Sequence, residues 1–353
     1  MKKSLTLALG IAAIVLSGCS INLGFGGGAS KGPDGGVYKS VTKGASWQQK
    51  SLISTVSGRP GTINALDSTA FAMDPSDNKA LYYAAAQNGM FYSYDGGESW
   101  QQVPALRDKL ISAIIVDPKA KCTLYATSLN SLLKSSDCAR TWEKVYYDNE
   151  LEVSVSAVAI DHYNSLNIYI GTSRGDLILS GDAGTSWQVL SRFEDPVRKI
   201  QVSPSDSRII YAATAGKGLY RSNDKGITWL SLADTMQTFQ NTNRFRDIYL
   251  SSSQPGLVIY ATDYGLLRST SAGDDWTALK LITPEKEAII NSVIISEQDT
   301  KNIYYVTNTT FYSTADGGEN WTTKKLPSAR PGRLLLADPK DPNTLYLTVR
   351  QAL

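Results

Sequence analysis

Ser222-Asn223-Asp224-Lys225-Gly226-Ile227-Thr228-Trp229 is one of the fullest copies of a phrase that recurs along this chain, and its tryptophan supplies the ruler. The seven tryptophans, Trp47, Trp100, Trp142, Trp187, Trp229, Trp276 and Trp321, each close a version of it, at intervals of 42 to 53 residues. That interval is the size of one four-stranded blade, and a unit that cannot cover both of its faces alone must stack on copies of itself. Seven copies predict a ring. The expectation is one all-β, seven-bladed propeller rather than the two domains that the chain length would ordinarily suggest.

The residues upstream of each tryptophan share one grammar, which 199–229 show well. Lys199–Ser203 reads as a strand, Pro204–Ser207 as a polar turn, and Ile209–Thr214 as a second strand. Ala215–Lys217 turns into a third strand, Gly218–Ser222, and Asn223–Gly226 leads to a fourth starting near Trp229. Short apolar runs separated by Gly, Asp, Asn and Pro are the signature of an antiparallel meander. The second strand recurs seven times, from Leu81-Tyr82-Tyr83 to Leu345-Tyr346-Leu347. The last copy has no tryptophan after it, and Trp47 has no inner strands before it. One blade is therefore predicted to be shared, with 333–349 giving its inner strands and 36–50 its outer ones, which leaves no long unpaired edge.

The phrase resembles the Asp-box, or BNR, repeat of sialidase-like and sortilin-like propellers, and the resemblance covers essentially the whole chain beyond its first 35 residues. Ser93-Tyr94-Asp95-Gly96-Gly97-Glu98-Ser99-Trp100 is another full copy. Degenerate copies place Thr42 and Ser271 where Asp is expected, Ala139 for Gly and Thr314 for Ser. The carboxylates of Asp95, Asp137, Asp182, Asp224 and Asp316 are suited to accept backbone N–H bonds inside their own turns, glycine supplies the left-handed residue, and the tryptophan packs between sheets. A calcium role is disfavoured, because the spacing lacks the alternating oxygen ligands of a calcium loop. Among non-enzymatic members the chain is similar to the photosystem II assembly and stability factors, and more loosely to the sortilin luminal domain. That likeness implies help in assembling or sorting partner proteins, without implying photosynthesis. Sialidase chemistry does not carry over. The Arg-Ile-Pro segment is missing, since Arg59-Pro60-Gly61 and Arg330-Pro331-Gly332 lack the apolar middle residue, and the sequence assigns no tyrosine–glutamate pair.

Residues 1–18 read as a lipoprotein signal: Lys2 and Lys3, an apolar run from Leu5 to Leu16 too short for a comfortable span, then Ser17-Gly18 before Cys19. Acylation of Cys19 would tether the protein to a membrane surface through 19–35, a Gly-rich stretch, ahead of the propeller at 36–353. An extracytoplasmic, lipid-anchored location is expected, on the periplasmic side or at the cell surface. Without Lys2 and Lys3, 33 of the 35 basic residues face 33 acidic ones, which argues against a nucleic-acid partner. Cys122 and Cys138 lie equally far from a hairpin turn around Asn130, on what the pattern reads as facing strands, so an oxidising compartment would pair them as a disulfide. No Cys/His zinc spacing occurs, and neither metal nor cofactor is expected.

Asp-boxes crowd one face of such a ring, which leaves the other for a ligand. Its longest pieces are 49–68, with Arg59, and 231–246, with Arg244. Aligning the first strands gives one entry position per blade, occupied by Thr69, Ser112, Ser156, Arg198, Arg246, Asn291 and Arg333. Three arginines converging on the channel mouth would suit a carboxylate, phosphate or sulfate; the alternative is that each pairs with a nearby acid such as Asp195 or Asp247. Arg59, Arg198, Arg244, Arg246 and Arg333 are the candidate contacts of a monomeric, non-catalytic docking or assembly factor for envelope or membrane proteins. The competing expectation is an exported glycan-binding protein or glycoside hydrolase. It would use an acid pair drawn from Glu194, Asp195, Glu285 and Glu287, with Tyr264 and Phe239 as sugar platforms. His162, the only histidine, takes the place of a turn proline on the Asp-box face, which excludes histidine-based acid–base chemistry.

Overall fold

The computed structural model describes residues 33–351, apart from 55–57, 59 and 288. The signal segment, Cys19, most of the Gly-rich stretch and Arg59 lie outside the described residues. What is described is a seven-bladed β-propeller. Blade 1 runs from Ser68–Met73 through Leu81–Ala85 and Gly89–Ser93 to Gln101–Gln102, and blades 2 to 5 begin at Ile111–Val116, Val155–Ile160, Val197–Val202 and Phe245–Leu250. Blade 6 begins at Ser292–Ser296. Blade 7 takes its inner strands, Gly332–Ala337 and Leu345–Val349, from one end of the ring sequence and its outer strands, Val37–Ser40 and Gln48–Lys50, from the other. The two ends are zipped antiparallel, from Val37 opposite Thr348 to Ser40 opposite Leu345. A two-stranded hairpin, Leu52–Ile53 with Gly61–Thr62, connects blade 7 to blade 1.

Strand alternation explains why the blades stack. In blade 1, Leu81, Tyr83 and Ala85 face blade 7 while Tyr82 and Ala84 face blade 2, and all five are buried. A second strand apolar on both faces suits a position in the middle of a stack. The consequence is a set of seven apolar clusters, one at each junction between neighbouring blades.

Each Asp-box clamps its own turn and is in turn held by the preceding blade. Asp95 Oδ1 accepts from Ser93 Oγ at 2.7 Å and from the Ser99 N–H at 3.0 Å, and Ser99 Oγ donates to Oδ2 at 2.6 Å. Asp137, Asp182 and Asp224 repeat this pattern with Thr141, Ser186 and Thr228, and Asp316 does so with Asn320. Where Asp is missing, a hydroxyl stands in: Thr42 Oγ1 accepts the Ser46 N–H at 2.9 Å and Ser271 Oγ the Asp275 N–H at 2.9 Å. The recurring tyrosine of one blade reaches the box of the next, as in Tyr211 Oη donating to Ala272 O at 2.8 Å and Tyr346 Oη to Gly96 O at 3.1 Å. Trp100 Nε1 donates to Lys50 O and Trp187 Nε1 to Val145 O, each on the outer strand of the preceding blade.

Cys122 and Cys138 form a disulfide. They occupy the two turns just outside the paired strands Leu124–Ser128 and Ser131–Ser135 rather than the strands themselves, and the Cys138 N–H donates to Cys122 O.

Two outcomes follow from this arrangement. Trp100→Ala, which empties a fully buried site, is expected to cost about 3–5 kcal/mol, and Trp229→Ala, partly exposed, to fall at the lower end of that range, as read by chemical denaturation. The hydroxyl and then the backbone N–H of the box's Ser or Thr hold Asp137, Asp182 and Asp224 down to about 2 from an ordinary 3.8. A depressed carboxylate stabilises the fold above its unfolded pKa, and that contribution is lost as pH falls toward the folded value. The melting temperature should therefore drop between roughly pH 4 and pH 2. An Asp182→Asn, Asp224→Asn double variant should melt lower at pH 7 and show a shallower acid drop.

Candidate functional site

Most first strands begin with a β-bulge, and the bulge is what aims the recurring entry residue. The register slips between Ser68 and Ala70, opposite Ser112, between Val155 and Ala157, Val197 and Lys199, Phe245 and Asp247, and Gly332 and Leu334. In six blades the skipped residue is thus Thr69, Ser112, Ser156, Arg198, Arg246 or Arg333; the blade 6 entry, Asn291, sits just before its strand. An unpaired extra residue turns its side chain out of the ladder. All seven line the central channel, a cavity of about 620 Å³. The channel opens on the face away from the Asp-boxes into a wider mouth of about 1070 Å³.

Four of these side chains are structural. Thr69 Oγ1 donates to Ile111 O at 2.6 Å, Ser112 Oγ to Val155 O at 3.5 Å, Ser156 Oγ to Val197 O at 2.6 Å, and Asn291 Nδ2 to Gly332 O at 2.7 Å. Each acceptor is the residue just before the next blade's entry position, so the four form inter-blade staples. In blades 4 and 5 the stapling moves one residue along. Lys199 Nζ donates to Asp247 Oδ1 at 2.7 Å and Ile248 O at 3.0 Å, and Asp247 Oδ2 accepts the Val293 N–H at 2.9 Å. Arg198 and Arg246 are thereby released to face the mouth.

The mouth gathers Arg198, Arg244, Arg246 and Arg333, together with Arg350, which the sequence reading missed. Arg350 directly follows the second strand of blade 7, at the position Asp263 holds after the second strand of blade 5. Alignment on the second strands, rather than the first, would have found it. Arg246 Nε pairs with Asp263 Oδ1 at 2.6 Å, and Arg244 Nε lies 3.9 Å from Oδ2. Arg198, Arg333 and Arg350 make no ion pair among the described residues. The acids expected to neutralise them are engaged elsewhere: Asp247 is taken by Lys199, and Asp195 accepts the Gly216 and Lys217 N–H groups at 2.6 and 2.9 Å. Burial opposes ionisation of Asp195, but those backbone bonds outweigh it and lower its pKa.

The residues expected of a sugar cleft do not assemble there. Only Asp195 of the four proposed acids lines the mouth. Glu194 pairs with Lys217, and Glu285 and Glu287 line two other, separate pockets. Tyr264 is buried rather than presented, packed against Phe239 at 5.2 Å and donating to Glu285 Oε1 at 2.6 Å. Two tyrosine–glutamate pairs that the sequence could not assign do exist, Tyr264–Glu285 and Tyr249–Glu297. Desolvation and then Glu285 push Tyr264 up to about 12, and burial raises Tyr249 well above its ordinary value, the reverse of what an activated nucleophile needs. His162 lines the opposite end of the channel, toward the Asp-box face, with Pro204 and Pro339.

No protein-family model matches the sequence. A xyloglucanase of Hypocrea jecorina is 23% identical over 170 residues, which are 46% of this chain and 20% of that protein. The GH74 enzyme of Niastella koreensis superposes with a TM-score of 0.65 at 16% identity, over 86% of this chain and 53% of that one. A structure of YCF48 bound to D1 peptide superposes with a TM-score of 0.62 at 14% identity, over 80% of this chain and 93% of that one. This chain spans about a fifth of the xyloglucanase relative and about half of the GH74 structure. At these identities the likeness shows the propeller fold, and enzymatic and peptide-bound propellers match it about equally well.

Staple and arginine positions should separate by substitution. Ser156→Ala is expected to cost about 1 kcal/mol through its lost inter-blade bond, whereas Arg198→Ala should change stability by no more than about 0.5 kcal/mol, both read from urea unfolding.

Proposed function

We propose that this chain is a non-catalytic docking factor whose arginine-lined mouth captures an acidic segment of a partner protein. Acylated Cys19 would hold it at an envelope membrane. The observation that carries the reading is the release of Arg198, Arg246 and Arg333 from the stapling duty of the entry position, which collects guanidinium groups around one opening. Guanidinium forks accept carboxylates in bidentate fashion, and such pairs gain strength in a recess that excludes part of the solvent. The peptide-bound structure supports this reading, because that chain is a propeller of similar extent.

The xyloglucanase relatives favour a second reading, a glycoside hydrolase. Such an enzyme needs two carboxyl groups across a cleft, one held protonated at neutral pH. At the mouth Asp195 is shifted toward its ionised form and Asp263 is paired with Arg246, so neither suits the acid role.

Binding of a fluorescent oligo-glutamate peptide is expected to weaken with salt. It should also fall by at least roughly 30-fold when Arg198, Arg246 and Arg333 are all changed to Glu. Peptide binding that is indifferent to this triple variant, or sustained turnover of xyloglucan by the wild-type protein, would overturn the docking reading; the latter would establish the second.

A further inference from the structure

Arg333 and Arg350 stand apart from the other arginines of the mouth. Gly332 pairs with Val349; Arg333 is bulged out just after the first and Arg350 follows the second, the arrangement that in blade 5 brings Arg246 and Asp263 together. The Arg350 N–H is fixed to Pro331 O at 3.0 Å, which holds the two backbones side by side. Two like charges brought together at one end of a strand pair repel. Burial, and then the neighbouring Arg350 guanidinium, lower the Arg333 pKa from its ordinary value.

Among the described residues, the carboxylates that could relieve this repulsion are already bound. Asp67, at the adjoining rim, receives Arg330 Nη1 at 3.0 Å and the Gln351 N–H at 2.6 Å. Asp247 is held by Lys199 and Val293, and Asp263 by Arg246. The junction between blades 7 and 1 is also unfinished in its neutral groups. Arg333 supplies no staple there, and the buried Thr348 and Ser68 hydroxyls have no partner among the described residues, whereas Thr127, the counterpart of Thr348 in blade 2, is bonded to Ser112 Oγ at 2.7 Å.

We propose that Arg333 and Arg350 form an oxyanion subsite on the closing blade, built to seat one carboxylate or phosphate group between two guanidinium forks. The inference rests on the docking reading only in sharing its mouth, and it adds what that reading lacks, a place for the first charged group of the ligand. The ligand-free ring bears the repulsion, and the bound anion removes it. Binding and stability are therefore opposed at Arg350: losing its charge should strengthen the empty protein and weaken the complex.

The test is thermal unfolding with and without inorganic phosphate, and with and without the oligo-glutamate peptide, on wild type and on Arg350→Gln, Arg333→Gln and Arg198→Gln. Millimolar phosphate or the peptide should raise the wild-type midpoint by about 2 °C or more. Arg350→Gln should melt above wild type in the absence of ligand and lose most of the ligand-induced rise; Arg198→Gln should keep the phosphate rise. A response to peptide without one to phosphate would assign the subsite to carboxylates, and equal responses would assign it to oxyanions generally. An Arg350→Gln protein that melts lower than wild type, or that keeps the full rise, overturns the subsite. If that variant keeps the rise while Arg198→Gln loses it, the mouth still binds anions and only this subsite fails. No rise in the wild type with either ligand overturns both the subsite and the docking reading.

Discussion

The constraint on which the rest of the structure depends is that no blade can stand alone. A four-stranded sheet with a second strand apolar on both sides, such as Leu81-Tyr82-Tyr83-Ala84-Ala85, exposes apolar surface until a neighbour covers each face. A row of such sheets is satisfied everywhere except at its ends, and closing the row into a ring removes the ends. Seven junction clusters in seven blades are that requirement met. Closure then depends on the pairing of Val37–Ser40 with Leu345–Val349, so the farthest parts of the chain carry the last contact of the fold. Non-local pairing of this kind is entropically costly and slow to form.

The Asp-boxes serve the same constraint from the outer rim. Their internal bonds shape a turn, but their consequence is inter-blade: the tyrosine of one blade and the outer strand of the same blade both grip the box region of the next. This explains why degenerate boxes survive at Thr42 and Ser271. A hydroxyl can replace the carboxylate inside the turn without disturbing the tryptophan, and it is the tryptophan that touches the neighbouring sheet. Trp47 packs against Phe311 of blade 6, and Trp276 Nε1 donates to Thr235 Oγ1 at 3.1 Å just past the outer strand of blade 4, so both boxes without Asp keep that contact.

What was legible in the sequence follows from this division. Tryptophan spacing, the repeated apolar-Tyr strand and the mismatch at the two ends gave blade number and closure, because each is a periodic signal tied to burial. The inner strand of blade 4 was placed two residues late, at Lys199 instead of Val197, because a bulge breaks the period of two that strand reading relies on. The entry residues Arg198, Arg246 and Arg333 were nevertheless found by alignment, while Arg350 was missed because it follows a strand instead of opening one. Tyr264 was misjudged for a different reason: an aromatic in a short polar turn looks exposed until its packing against Phe239 is seen. The pairing of Lys199 with Asp247 depends on which blade neighbours which, and no local pattern encodes it.

The entry position also shows how a structural ring acquires a site without changing its fold. Where the residue is Thr, Ser or Asn, a short side chain reaches one carbonyl across the junction and is consumed by it. An arginine there is too long for that bond and leaves the carbonyl to other means. Blades 4 and 5 compensate through Lys199 and Asp247, one residue on, so Arg198 and Arg246 come at little structural cost. Among the described residues blade 7 has no such relay, and there the unpaired Thr348 hydroxyl and the neighbouring Arg350 remain. A local conflict retained without compensation, on the very blade that closes the ring, is hard to explain by packing. It is what one expects where the fold gives up stability to hold two charges ready, and an anion seated on Arg333 and Arg350 would then tighten the C-terminal strands onto which Val37–Ser40 must zip.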